Sequence, residues 1–127
     1  MDPQEKEIYP YQELYSGFIT TYRRGMCSGE EVGEIIVKLA AYYADLNLAM
    51  VESERKLSLV ARDIETRIDE VSSKPISSAK AKVISDATPE CHAFNVSRAH
   101  LQNVEMYIGA MKSLQRGLLV EYGNSSL

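Results

Sequence analysis

The stretch that decides the fold is residues 28–71, SGEEVGEIIVKLAAYYADLNLAMVESERKLSLVARDIETRIDEV. Ser28 followed by Glu31 fits a capping box, in which the hydroxyl accepts from an early backbone N–H and the carboxylate reaches back. Behind it Val32, Ile35, Leu39, Tyr42, Leu46, Met50, Leu57, Val60, Ile64, Ile68 and Val71 recur mainly at three- and four-residue steps. That spacing lays one apolar stripe along a single long helix. Glu34 with Lys38, Glu52 with Lys56 and Asp63 with Arg67 each set an acid four residues before its base, the favourable orientation for helix pairs. Ile36, Tyr43 and Leu48 lie off the stripe and widen the apolar face in the first half of the helix.

Working outward, Ser72, Ser73, Lys74 and Pro75 break the periodicity and mark a turn over 72–77. Ser77 or Ser78 can cap a short helix through Asp86, over 78–86. Thr88 then reads as an N-cap, Pro89 as the first helical residue and Glu90 as a favourable first-turn charge. Phe94, Leu101, Val104, Ile108, Met111, Leu114 and Leu118 carry a second long helix over 88–122, ended by Gly123 and Asn124. Gly109 and Gly117 each cost about 1 kcal/mol relative to alanine inside a helix, so close packing on another helix is the expected compensation. Upstream, residues 1–10 read as a flexible tail. A short helix follows over 11–25, with Leu14, Phe18 and Tyr22 at four-residue spacing. Its tyrosines, Tyr11, Tyr15 and Tyr22, can stack on bases or lie against the two long helices.

The expected architecture is therefore all-α, a single helical domain over 1–127 built on a long antiparallel hairpin. A helix of 28–71 would extend about 66 Å, while a compact domain of this size has a radius of gyration near 14 Å. Association of the leftover apolar faces into a homo-oligomer resolves the mismatch. A kink near Ser53, where the stripe falters, is the other solution.

Composition sets bounds. The 127 residues are 45% hydrophobic with a net charge of −4, as in an ordinary folded domain. Such a molecule repels phosphate unless its basic groups are gathered locally. Residues 1–54 hold 10 acidic and 4 basic side chains, and residues 55–127 hold 8 and 10, so the second half is the one suited to polyanions. Cys27 and Cys91 form no pattern and are expected to be reduced in a cytoplasmic protein. The acidic opening residues do not suit a secretory leader, and no apolar run is long enough to span a bilayer.

Catalytic patterns are incomplete. Glu31 and Glu34 have the ExxE spacing of helical magnesium-dependent nucleotide hydrolases, but the second acidic pair such enzymes need is missing, since Glu52 is followed at three residues by Arg55. Cys91, His92 and His100 do not converge on one helix face as a tetrahedral metal site requires. No nucleophile motif or glycine-rich phosphate loop appears. We expect no enzyme, cofactor or metal. The basic residues are more informative: Arg55, Lys56, Arg62 and Arg67 on the far half of the first long helix, then Lys74, Lys80 and Lys82 around the turn. They can meet phosphates of a single strand, or form a solvated face with the interspersed acids.

The segment Arg55-Lys56-Leu57-Ser58-Leu59-Val60-Ala61-Arg62 resembles the basic helix segment of UvsY-type recombination mediators of tailed bacteriophages. The likeness covers roughly Leu39 to Tyr122 and extends to layout: a long helix, a polar turn, a segment like Lys80 to Ser85, and a return helix with Lys112-Ser113 to Arg116-Gly117. It implies a helical homo-oligomer in the bacterial host cytoplasm that binds single-stranded DNA, contacts a RecA-like recombinase and a single-strand binding protein, and assists recombinase loading. Arg55, Lys56 and Arg62 match the DNA-binding segment. Val60 stands where a lysine would be expected. The rival expectation, from a different class, is a structural or adaptor protein with protein ligands only.

Overall fold

The computed structural model describes residues 9–23, 25 and 28–125, with side chains through residue 118. Of the tail expected over residues 1–10, residues 1–8 lie outside the described residues, as does the thiol of Cys27, while Pro10 belongs to the first helix. The chain is all-α: α1 (Pro10–Arg23), α2 (Gly29–Glu65), α3 (Ser78–Asp86) and α4 (Pro89–Ser125). It divides into two compact units, one of residues 1–44 with 103–127, the other of residues 45–102.

The starts of α2, α3 and α4 follow from their caps. Ser28 Oγ accepts from Glu31 N at 3.3 Å, Ser77 Oγ from Lys80 N at 3.2 Å, and Thr88 Oγ1 from Cys91 N at 3.2 Å. Each bond satisfies an N–H that the helix ladder leaves orphaned. Gly25, at φ 72°, follows α1 and donates to Tyr22 O at 2.9 Å. That left-handed conformation suits glycine because it has no Cβ.

In the first unit, the start of α2 packs on the far part of α4. Val32, Leu39, Val104 and Met111 are wholly buried there. Gln115 donates to Gly29 O at 3.4 Å and Tyr43 donates to Glu105 at 3.2 Å, so later residues of α2 meet earlier residues of α4. Helix α1 closes this unit with Tyr11, 1% exposed, and Phe18. The Tyr15 ring stacks on Tyr107 with centroids 4.1 Å apart and planes 6° from parallel, and Tyr11 tilts against the same ring. Burial raises the Tyr11 pKa above the ordinary phenol value, against a smaller lowering by its hydrogen bond to Asn103. The tyrosine-rich helix thus spends the faces of Tyr11 and Tyr15 on its own chain.

In the second unit, Ile64, Ala81 and Leu101 are the buried apolar residues, drawn from α2, α3 and α4. Helix α2 continues through Ser53, whose hydroxyl lies 3.4 Å from that of Ser97.

Three helices differ from their expected bounds. Helix α2 stops at Glu65, not Val71. Its ladder tightens as Thr66 N is shared between Arg62 O and Asp63 O and Arg67 N bonds to Ile64 O. The chain then makes a small antiparallel loop: Ile68 bridges Pro75, Ile76 N donates to Arg67 O at 3.0 Å and Asp69 N to Lys74 O at 2.8 Å. Ile68 and Val71 are 67% and 90% exposed, so further helix would have gained them no apolar partner. Helix α4 runs through Gly123 and Asn124 to Ser125, and α1 begins at Pro10 and ends at Arg23. Helix α3 has the expected bounds.

The glycine expectation is also corrected. A Cβ at Gly109 or Gly117 would meet nothing within 4 Å, whereas at Gly33 it would sit 3.2 Å from Gln115 Nε2. The close approach is made at Gly33. Gly109→Ala should therefore stabilise the fold by about 0.5–1 kcal/mol through helix propensity alone, read as a higher urea midpoint. A lower midpoint would mean that something does pack on that position.

Candidate nucleic-acid interface

All seven basic residues singled out in the sequence fall in the second unit and all are exposed. The last turns of α2 carry Arg55, Lys56 and Arg62. Arg67 and Lys74 lie in the loop, and Lys80 and Lys82 on α3. The helical and loop backbone thus keeps them on one unit, as their sequence positions suggested.

Their charges are not equally available. Arg55 makes a two-pronged contact with Glu52, Nη2 to Oε1 at 2.6 Å and Nε to Oε2 at 3.1 Å. This holds the Glu52 carboxyl below its ordinary pKa and the Arg55 guanidinium above its own. Glu52 therefore pairs at three residues with Arg55 and not, as the spacing suggested, at four with Lys56. Arg67 pairs with Asp63 at 3.0 Å and Lys82 with Asp86 at 3.4 Å, each four residues apart. Lys80 reaches Asp69 at 3.0 Å. Among the described residues, Lys56, Arg62 and Lys74 have no ion-pair partner. The unit holds 9 acidic and 8 basic side chains, so the candidate surface is mixed, and among its described residues Arg98 is a fourth cation outside any ion pair.

Asp69 organises the loop that presents Lys74. Its Oδ1 accepts from Val71 N at 2.9 Å, its Oδ2 from Lys80 Nζ, and its carbonyl from Ser73 N at 2.8 Å. Ser73 takes φ 58°, and Ser72 Oγ accepts from Lys74 N at 3.4 Å. The sequence reading missed this residue, because the Lys80 contact spans eleven positions and has no periodic signal. It also missed Arg98, exposed in the same unit, whose guanidinium carbon sits 5.6 Å from the centre of the Phe94 ring, within cation–π range.

The other candidate sites stay apart. Among the described residues no three of His, Cys, Asp and Glu are gathered as a metal site would need. Cys91 accepts a long bond from Asn95 at 3.7 Å, His92 is exposed, and burial lowers the His100 pKa, favouring the neutral ring. Glu31 and Glu34 border a shallow groove with Glu13 from α1, floored by Leu14, Phe18 and Ile35. Among the described residues no helix is long and apolar enough to cross a membrane. Compared with known proteins, the chain matches no family model, no curated protein and no solved structure.

The Asp69 carboxyl is held below its ordinary pKa, first by the Lys80 hydrogen bond and then by the Val71 N–H. The stability it lends the loop is present above the unfolded pKa, about 3.9, and is lost as pH falls through the lowered folded value. An NMR titration of Asp69 should give a midpoint below the ordinary value, moving up in Lys80→Ala. A midpoint that Lys80→Ala leaves in place would contradict the assignment.

Proposed function

We propose that the protein is a non-enzymatic, homo-oligomeric recombination accessory protein that binds single-stranded DNA and assists the loading of a RecA-like recombinase, with a single-strand binding protein as a further partner. In this reading α2 and α4 form the arms of an antiparallel hairpin, and copies of it associate. The supporting observation is the trio Lys56, Arg62 and Lys74, exposed and unpaired on one unit of an otherwise acidic chain. Arg55, Arg67, Lys80 and Lys82 join when a phosphate displaces their carboxylate partners. Exposed pairs of that kind contribute little to stability, so a phosphate can replace the carboxylates readily. The resemblance of residues 55–62 to UvsY-type mediators supplies the choice of DNA over other polyanions. Nothing in the chemistry of the surface reads base identity, so binding should be sequence-tolerant and dominated by counterion release.

A second reading has its own observation. The second unit is nearly charge-balanced, and it exposes Leu48, Val51, Leu59, Ile68, Val71 and Val83, a surface suited to protein ligands alone. The same experiment separates the two. Fluorescence anisotropy with a labelled oligonucleotide should give an affinity that falls about 20-fold between 50 and 200 mM salt for three phosphate contacts. Lys56→Glu, Arg62→Glu and Lys74→Glu should each weaken it and flatten the slope. No binding at 50 mM salt, or binding that Arg62→Glu leaves unchanged, favours the protein-only adaptor.

A further inference from the structure

On α2, the exposed positions Asp45, Leu48, Glu52, Arg55, Leu59 and Arg62 follow one another at steps of three, four, three, four and three. That alternation keeps the six on one face of the helix, a seam with leucine at two positions and charge at four. No described element covers it: Leu48 is 70% and Leu59 52% exposed, although both lie on a helix whose opposite face is packed. Neither Asp45 nor Arg62 has an ion-pair partner among the described residues.

The order of residues along the seam says what would cover it. Reading inward from the two ends, Asp45 matches Arg62, Leu48 matches Leu59, and Glu52 matches Arg55. Acids occupy the first half, bases the second, with a leucine at the same distance from the middle on each side. We infer that this face of α2 pairs antiparallel with the same face of a second copy of the chain, about a two-fold axis near residues 53 and 54. In an antiparallel pair, neighbouring seam rows of the two helices share each layer. Asp45 then meets Arg62 of the second copy, Leu48 meets Leu59, and Glu52 meets Arg55, and each contact occurs twice by symmetry. A parallel pair in register would instead stack like on like at four of the six layers, Asp45, Glu52, Arg55 and Arg62. The charge pattern therefore fixes orientation and register as well as the partner. The close contact of Arg55 with Glu52 within one chain becomes the centre of a four-charge cluster.

The pairing stands independently of the DNA reading and couples to it. Arg55 and Arg62 lie in the seam, so a second copy and a phosphate backbone compete for them, while Lys56 and Lys74 stay accessible in both states. Self-pairing would then hold the basic surface partly covered until single-stranded DNA is present.

Sedimentation equilibrium tests this on the full chain across a concentration series. The wild type should give a mass above the 14.2 kDa of one protomer. Asp45→Arg and Arg62→Asp should each lower the association constant at least tenfold, because each sets like charges face to face. The double variant Asp45→Arg with Arg62→Asp restores opposite charges in every layer and should recover association. All these positions are exposed, so helix content by circular dichroism should not change. A wild type that remains one protomer, single variants that associate like the wild type, or a double variant no better than the singles would each overturn the inference. In DNA-binding assays Asp45→Arg, which adds a positive charge and frees Arg62, should bind more tightly than the wild type. If no variant binds DNA, the functional reading fails while the masses still decide the pairing.

Discussion

Burial of one stripe of α2 is the constraint on which the rest depends. A helix gains most of its stability in a protein from packing an amphipathic face, and α2 packs Val32 and Leu39 in one unit and Ile64 in the other. Helices α1, α3 and α4 are placed by that requirement: α1 lays Tyr11 and Phe18 into the first unit, and α3 contributes Ala81 to the second. What they leave uncovered is as informative as what they cover. Val37, Leu48, Val51 and Leu59 of α2 remain more than half exposed. A surface leucine on its own requires no explanation, but Leu48 and Leu59 set symmetrically on one face with matched charges between them are a pattern.

The charged surface has the same double character. Arg55, Arg67, Lys80 and Lys82 are paired within the chain, all near the surface, where such pairs hold little energy and exchange readily. The acidic net charge opposes approach of a polyanion at long range, and the exposed cations of the second unit favour it at short range. The outcome depends on ionic strength and on whether the acids of α2 are already engaged. In the proposed reading, self-pairing of α2 and binding of a phosphate backbone would be two uses of the same arginines.

Local chemistry made much of the fold legible. The caps at Ser28, Ser77 and Thr88 and the three- and four-residue periodicity of α2 and α4 are contained in neighbouring residues, so the starts of α2, α3 and α4 and the end of α3 could be read directly. The end of α2 could not. Ile68 and Val71 continue the apolar rhythm, but a rhythm carries no information about whether a partner lies opposite, and here backbone bonds within the loop win. Gly109 misled for the same reason: its cost is local, while the space beside it is a property of the packed unit. For the candidate interface, exposure of the seven basic residues followed from their positions. Their pairing did not, because Glu52 chose Arg55 over Lys56 and Lys80 reached eleven residues back to Asp69.

Distance measurements show whether the outer face of α2 pairs with an antiparallel second copy. In a Cys27→Ser, Cys91→Ser background, spin labels introduced singly by Ser58→Cys or Glu65→Cys report the separation between equivalent positions of the two copies by double electron–electron resonance. An axis near residues 53 and 54 predicts a separation about 20 Å longer for the label at position 65 than at position 58, from the 1.5 Å rise per helical residue. Equal separations at both positions, or no dipolar coupling at either, would contradict it.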